Sequence, residues 1–389
     1  FEYSKSKRWF ALTEQRINFL NLRFRKLKSD FRELKRKKRG FCFERLSDFS
    51  TFVFPKFRFD FMIKRTTERN PYFELLRGVA IMMVVGIHTF KTGSDFSLFV
   101  RQILNCAVPL FLACSGFFMA KKDVSDTTKY KTFLSKQIPK VYIPCLVWSI
   151  PYLILSLSQG GSIKDGVVNL FFCGFSIYYF ILLIMQYYAL LPYYHKMNKK
   201  HLLINAAVSL VSIAIVAYLI QIQQRSIPLV RYAGLFPLWT VFFAYGVYLG
   251  KQKQRNHKLY PYVIMTLCGL LLSYLESKYY ISIGSGGVGI KPSSFLYSFG
   301  IIAIAFSSKL ENLLQGKTSV ERMLNYIGRI SFGIYLIHCY FIFIFGVTLP
   351  NQWNAMPWIL KHLLVLLLSI VVIQIFRKVS KKLSAKIGL

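Results

Sequence analysis

Apolar stretches of roughly twenty residues alternate with short polar segments from residue 71 onward. An α-helix needs about 20 apolar residues to cross the hydrocarbon core of a bilayer, so each stretch predicts a transmembrane helix. About ten helices are expected, with approximate bounds 72–90, 101–120, 140–158, 177–194, 202–221, 234–250, 259–275, 293–308, 327–347 and 356–376. The pattern predicts an all-α polytopic membrane protein.

The polar segments alternate between strongly basic ones and ones with few basic residues. The basic segments are Lys64 to Arg69, Lys121 to Lys140, His195 to His201, Lys251 to Lys258, Lys309 to Arg329 and Arg377 to Lys386. Short loops rich in Lys and Arg stay on the cytoplasmic side of a membrane, so these segments and both termini are expected to be cytoplasmic. An even number of spans agrees with this orientation.

The composition supports a membrane protein, because 54% of the residues are hydrophobic, 17% are aromatic and the mean hydropathy is +0.40. The net charge of +35, from 51 Lys and Arg against 16 Asp and Glu, is also typical of nucleic-acid-binding proteins. The basic residues cluster in short loops, however, which favours membrane lipids over nucleic acid as the partner. The seven cysteines lack the spacing of zinc sites, so no metal is expected.

Residues 1–61 differ from the rest of the chain, since they combine 17 Lys and Arg against 7 Asp and Glu with many Phe and no Met. One interpretation is an amphipathic helix on an anionic membrane surface, because apolar residues recur there at helical spacing. The other, which we favour, is that the native start is Met62 and that this basic, Phe-rich N-terminal extension is disordered or non-native. A transmembrane domain is then expected at 62–380, with a basic cytoplasmic tail at 381–389.

The first predicted helix carries three ionisable residues, Glu74, Arg77 and His88, in an otherwise apolar segment. The 11-residue step from Arg77 to His88 is about three turns plus 20°, so both share one face, about 16 Å apart along the axis. Glu74 lies on that face as well. Arg77 alone could anchor the helix in the headgroups, and His88 alone could be a hydrogen-bonded core residue. Three costly groups on one face favour a functional role.

Several motifs occur in a fixed order along the chain. They are Glu74-x-x-Arg77 with His88, Val108-Pro-Leu-Phe-Leu-Ala-Cys-Ser-Gly-Phe117, Tyr179-Phe180 through Gln186-Tyr187-Tyr188 to Pro192, and Ile327-Gly-Arg-Ile-Ser-Phe-Gly-Ile-Tyr-Leu-Ile-His338. Together they resemble the motifs of the membrane-bound acyltransferase-3 family, over about residues 62–380. The chain departs from the family pattern at Tyr179, where Trp is usual, and at Lys136 and Lys140, where an Arg-rich run is common.

The resemblance implies an integral membrane O-acyltransferase that takes an acyl group, expected to be acetyl, from cytoplasmic acyl-CoA. The acceptor is then expected to be a hydroxyl of a cell-envelope glycan (a polysaccharide) or of its lipid-linked precursor. The location implied is the bacterial inner or plasma membrane, with multiple passes. Acyl-CoA, in this case acetyl-CoA, is a donor substrate, and no permanently bound cofactor is expected.

The resemblance also suggests roles for the polar residues. A hydroxyl is a weak nucleophile until a base removes its proton, and a histidine can do so near neutral pH, so His88 is the candidate base. Arg77, with Lys136 and Lys140, is expected to bind the phosphates of the donor, although lysine lacks the bidentate geometry of arginine. Glu74 is expected to neutralise or position Arg77.

Weaker candidates lie on the ninth predicted helix, where Ser331, Tyr335 and His338 share one face and could line the same substrate cavity. Core packing of a hydrogen-bonded histidine explains His338 equally well.

Two other functions fit the same residues. Ionisable groups inside the membrane are also typical of a transporter or exporter, here of a polar envelope molecule. A non-catalytic membrane partner in a biosynthetic complex is a third hypothesis.

Overall fold

The computed structural model describes residues 70–90, 93–286, 289–314 and 318–389. Both interpretations of residues 1–61, and the start at Met62, lie outside these described residues. Within the described part every regular element is a helix. In chain order the helices are α1 (Pro71–Thr89), α2 (Asp95–Leu104), α3 (Ala107–Met119), α4 (Thr127–Ser158), α5 (Ile163–Phe171), α6 (Tyr179–Ala189), α7 (Leu191–His195), α8 (Lys199–Ala217, continued by a π-helical turn at Tyr218–Ile222), α9 (Leu229–Ala233), α10 (Phe236–Gly250), α11 (Tyr260–Ser282), α12 (Pro292–Ala305), α13 (Ser308–Leu314), α14 (Ser319–Arg329), α15 (Ser331–Thr348), α16 (Pro350–Ala355), α17 (Trp358–Val379) and α18 (Lys381–Lys386).

The all-α class predicted from the apolar pattern is confirmed. In the part of the chain that the structure describes, six helical segments are long and apolar enough to cross a membrane: Pro71–Thr89, Asp95–Met119, Thr127–Ser158, Lys199–Ile222, Ser331–Thr348 and Trp358–Val379. The pair α12 and α13, bent by 61°, makes a seventh if it counts as one span. The number of ten spans and the cytoplasmic side of the termini stay predictions.

The third predicted span, 140–158, is part of a longer helix that begins at Thr127. Asp126 caps this helix, because its side chain accepts a hydrogen bond from the backbone N–H of Lys129 at 2.8 Å. Much of the basic segment before the apolar stretch is therefore helical, and Lys136 and Lys140 lie on α4 itself.

The sequence specifies the start of α1 clearly. The side chain of Asn70 accepts from the backbone N–H of Tyr72 at 2.9 Å, and Pro71 occupies the first helical turn, where its missing N–H costs nothing. Glu74 in the same turn interacts favourably with the positive end of the helix dipole. The helix ends at Thr89, since Phe90 has extended backbone dihedrals.

The backbones of α1 and α14 touch. A β-carbon added at Gly78 would collide with the carbonyl oxygen of Leu324, and one added at Gly328 would collide with that of Glu74. Glycine permits such close approach, a usual way for membrane helices to pack. This contact fixes the first turns of α1 against the end of α14, immediately before α15 begins.

The outer surface of the bundle is apolar, as the predicted membrane environment requires. Large apolar side chains are exposed on α8, α11 and α17, among them Leu203, Leu210, Leu267, Leu363 and Leu367. In water such a surface would drive association, whereas in a bilayer it contacts lipid tails.

Candidate active site

Glu74 and Arg77 form an ion pair one turn from the start of α1. The Nη1 atom of Arg77 lies 3.2 Å from Oε2 of Glu74, and Nη2 donates to Oγ of Ser331 at 3.0 Å. The Glu74 side chain is 1% exposed, whereas that of Arg77 is 23% exposed. The carboxylate is thus held inside the protein, and part of the guanidinium stays accessible to a ligand.

His88, further along the same helix, faces His338 of α15. The centroids of the two imidazole rings lie 5.5 Å apart, and the ring planes are inclined by 44°. His338 is fully buried, while His88 is exposed. The pair therefore combines an accessible imidazole with one that is fixed in the core.

Hydrogen bonds determine which nitrogen of His338 carries its proton. Nδ1 lies 2.9 Å from the carbonyl oxygen of Ile334 and 3.0 Å from that of Tyr335. A carbonyl oxygen can only accept, so Nδ1 carries the hydrogen and Nε2 of the neutral ring presents a lone pair. Nε2 lies 3.5 Å from Sγ of Cys339.

The side chains of His88, His338 and Cys339 form one cluster, since one ring nitrogen of each histidine and Sγ of Cys339 all lie within 4.8 Å of one another. Imidazole and thiolate atoms at this spacing could bridge a soft divalent cation. The same atoms could instead exchange protons with a substrate. The sequence predicts no metal.

Candidate residues of the first predicted helix and of the ninth predicted helix meet in this region. Ser331 contacts Arg77 and His338 faces His88, so α15 runs beside α1 with one polar contact near its start and one further along. The hydroxyl of Tyr335 donates to the backbone carbonyl of Ile177 at 2.5 Å, which makes a structural contact to the segment before α6. The chemical roles of all these residues stay predictions.

Lys136 and Lys140 are exposed on α4. Their predicted contribution to donor binding stays a prediction too.

Arg101 lies next to His88 and was not among the residues predicted from the sequence. Arg101 lies in α2, and its Nη1 atom donates to the backbone carbonyl of Ile87. Its Nε atom is buried and has no hydrogen-bond partner among the described residues. The chain therefore places a second cation next to the accessible histidine.

Sequence reasoning also missed a polar cavity of about 420 Å³ at the end of the bundle where α1 begins. Arg255 forms an ion pair with Glu311 inside it and lies 5.0 Å above the rings of both Phe73 and Phe117. Amide and cationic side chains make up most of the remaining lining: Asn70, Lys121, Gln252, Lys253, Gln254, Asn256 and Asn312. In the sequence, this site is indicated by the charged stretch from residue 251 to 258. The ion pair that Arg255 of this stretch makes with Glu311 joins residues far apart in the chain.

Comparison with known proteins identifies the family of this chain. The sequence profile of the acyltransferase-3 family, described as an acyltransferase domain, matches residues 70–378. The chain therefore belongs to this family and is a transferase, which confirms the predicted family and enzyme class. The match lies inside the predicted 62–380 domain.

The chain is 27% identical over 281 residues to a protein of Bacillus subtilis (strain 168) named "Putative membrane-bound acyltransferase YfiQ". The alignment covers 65% of this chain and 72% of that protein. This similarity and the apolar helices together make the chain a multi-pass membrane protein. No solved structure matches it significantly.

Proposed function

We propose that this protein transfers an acetyl group from cytoplasmic acetyl-CoA to a hydroxyl of a cell-envelope glycan or its lipid-linked precursor in the bacterial plasma membrane. The observation that carries the proposal is the position of His88, which is exposed, beside the buried imidazole of His338 and on the same helix as the Glu74–Arg77 pair. An accessible base and a partly accessible guanidinium are what this reaction requires.

Arg77 is suited to the phosphates of the donor. Its guanidinium is permanently charged and presents parallel N–H groups, which match phosphate oxygens. Glu74 and Ser331 each bind one of its terminal nitrogens, so the side chain is oriented before the donor arrives. Lys136 and Lys140, exposed on α4, add positive charge that attracts the donor.

His88 takes the proton of the acceptor hydroxyl in this proposal. Loss of that proton makes the oxygen nucleophilic, and the oxygen then forms a bond to the carbonyl carbon of the acyl thioester. The C–S bond of the thioester breaks, and the departing sulfur takes up the proton to leave as a thiol. Glycan hydroxyls are uncharged, so binding of the acceptor beside His88 requires no charged side chain. The cationic side chain of Arg101 lies next to this position as well.

Transfer of label from radioactive acetyl-CoA to extracted envelope glycans, in membranes that contain the protein, tests this function. Wild-type membranes should label the glycan, and His88→Ala should reduce the rate by about 100-fold or more. His201→Gln is the matched control, because glutamine preserves the capping box that His201 makes with Asn198 at the start of α8. Full labelling by a correctly inserted His88→Ala protein would contradict the role of His88, and absence of labelling by the wild type would overturn the function.

A further inference from the structure

Cys339 follows His338 in α15, and the roles given above do not use it. Its Sγ lies 3.5 Å from Nε2 of His338, within hydrogen-bond range for sulfur, and its side chain is only partly buried. A thiol beside an imidazole lone pair is the arrangement that activates cysteine nucleophiles, because the histidine can accept the thiol proton.

The base is itself oriented, as a nucleophile–base pair requires. The carbonyl oxygens of Ile334 and Tyr335 accept from Nδ1 of His338, and this fixes both the tautomer and the direction of Nε2. Cys339 and His338 are neighbours in one helix, so the pair needs no other element to bring it together. The sulfur also lies within 4.8 Å of the nitrogen donor of His88.

A strained segment lies against the same sulfur. Ser176, in the loop before α6, has a φ of 52° and interacts through its side chain with the thiol of Cys339. Cys173 in that loop has a φ of 53°. Non-glycine residues rarely adopt these dihedrals, and such strain clusters at functional sites. The Ser176 hydroxyl, a hydrogen-bond donor, therefore lies beside the sulfur at which an oxyanion would form.

We propose that Cys339 is a covalent nucleophile that carries the acyl group as a thioester between donor and acceptor. The inference rests on the proposed function, from which it takes both substrates. In the first half-reaction, Cys339 Sγ gives its proton to Nε2 of His338 and attacks the carbonyl carbon of acyl-CoA. A new C–S bond forms to Cys339, the C–S bond to CoA breaks, and the proton passes from His338 to the CoA sulfur.

In the second half-reaction, the acceptor hydroxyl gives its proton to His88, and its oxygen attacks the acyl carbon on Cys339. The C–O bond forms, the C–S bond to Cys339 breaks, and the proton returns to Sγ to restore the thiol. Nothing is oxidised or reduced, and the products are CoA and the acyl ester. Donor and acceptor then need not occupy the site together, so the steady-state kinetics are ping-pong.

Incubation of the purified full-length protein in detergent with radioactive acetyl-CoA, without acceptor, tests the first half-reaction. Label should accumulate on the protein, be released by neutral hydroxylamine, which cleaves thioesters, and map to the peptide that contains Cys339. Cys268→Ser is the matched control, because Cys268 is an exposed cysteine on α11. This variant should keep both the label and the transfer rate.

Cys339→Ala should lose the label and at least about 100-fold of the rate of transfer to glycan. Cys339→Ser separates a chemical loss from a folding defect, since an acylated serine retains label that neutral hydroxylamine does not release. Absence of label on a wild-type protein that transfers acetyl groups, or full transfer by Cys339→Ala, would overturn the relay and leave the proposed function intact. A chelator-sensitive transfer rate that zinc restores would also overturn it, because the three side chains would then bind a metal. A wild type that neither transfers nor becomes labelled would overturn both.

Discussion

Arg77 donates a hydrogen bond to Ser331 at 3.0 Å and thereby connects the first turns of α1 to the first residue of α15. These residues are 254 positions apart in the chain. The bond orients a guanidinium whose other terminal nitrogen is held by Glu74. Because α1 and α15 also carry the two facing histidines, this contact joins the same two helices that form the candidate site.

Replacement of Ser331 by alanine should raise the KM for acetyl-CoA by about tenfold, because a hydrogen bond to a charged group contributes about 1.5–3 kcal/mol. The orientation of Arg77 would be lost while its charge is kept. Arg77→Lys should have a similar or larger effect, since lysine cannot bind phosphate in a bidentate manner. Initial rates at varied acetyl-CoA give the KM, and an unchanged KM in both variants would refute the role of Arg77.

The close contact between α1 and α14 predicts a stability effect. Gly328→Ala should destabilise the protein by about 1–3 kcal/mol, because the added methyl group collides with the carbonyl oxygen of Glu74. Gly346→Ala is the control, since a β-carbon there meets no atom within 4 Å and alanine favours a helix. Thermal unfolding in detergent should give a lower Tm for Gly328→Ala alone. Equal Tm values for the two variants would contradict the packing argument.

The lysines on α4 predict a salt-dependent contribution to donor binding. Joint replacement of Lys136 and Lys140 by alanine should raise the KM for acetyl-CoA at low ionic strength, with a smaller difference at high salt, because exposed charges are screened. The control is joint replacement of Lys199 and Lys200, which are exposed at the start of α8.

The alternative to this prediction is that the phosphates of the donor bind in the polar cavity near Arg255. Lys121 and Lys253 line it, and their joint replacement by alanine leaves the Arg255–Glu311 ion pair in place. A larger KM in this variant than in the α4 variant would locate the phosphates of the donor in the cavity and show that the sequence prediction chose the wrong lysines.

His195, at the end of α7, predicts a pH dependence of stability. Its Nε2 atom donates to the carbonyl of Met119 at 3.0 Å, and burial lowers its pKa below the ordinary value. As the pH falls below about 6.5, the unfolded chain therefore takes up this proton before the folded one, and stability is lost. His195→Gln should show a smaller fall in Tm between neutral and acidic pH than the wild type. An identical slope in the wild type and in His195→Gln would contradict the assignment.

Local features of the site were accessible from the sequence, because helical geometry fixes them. The spacing of Glu74 and Arg77 predicts their contact, and the structure contains it. The position of α1 follows equally from Asn70, Pro71 and the apolar run. The Asp126 cap of α4 was also present in the sequence, but a search for apolar stretches does not register a polar first half of a helix.

Contacts between distant helices could not be predicted from one sequence. Ser331 and His338 were placed on a common face, yet nothing local indicates that this face meets Arg77 and His88. Cys339 is one of the seven cysteines without zinc-site spacing, and its contact with Nε2 of His338 depends on a ring orientation that backbone carbonyls impose.

Ile81 and Val84 lie between Arg77 and His88 on the same face of α1, and both are buried. They separate two polar levels that are about 16 Å apart, roughly half of the thickness of a bilayer's hydrocarbon core. Because both side chains are packed inside the protein, a nucleotide with several phosphates cannot cross this layer without a large desolvation cost. The layer therefore keeps the charged end of the donor on the Arg77 side and the membrane sealed against it.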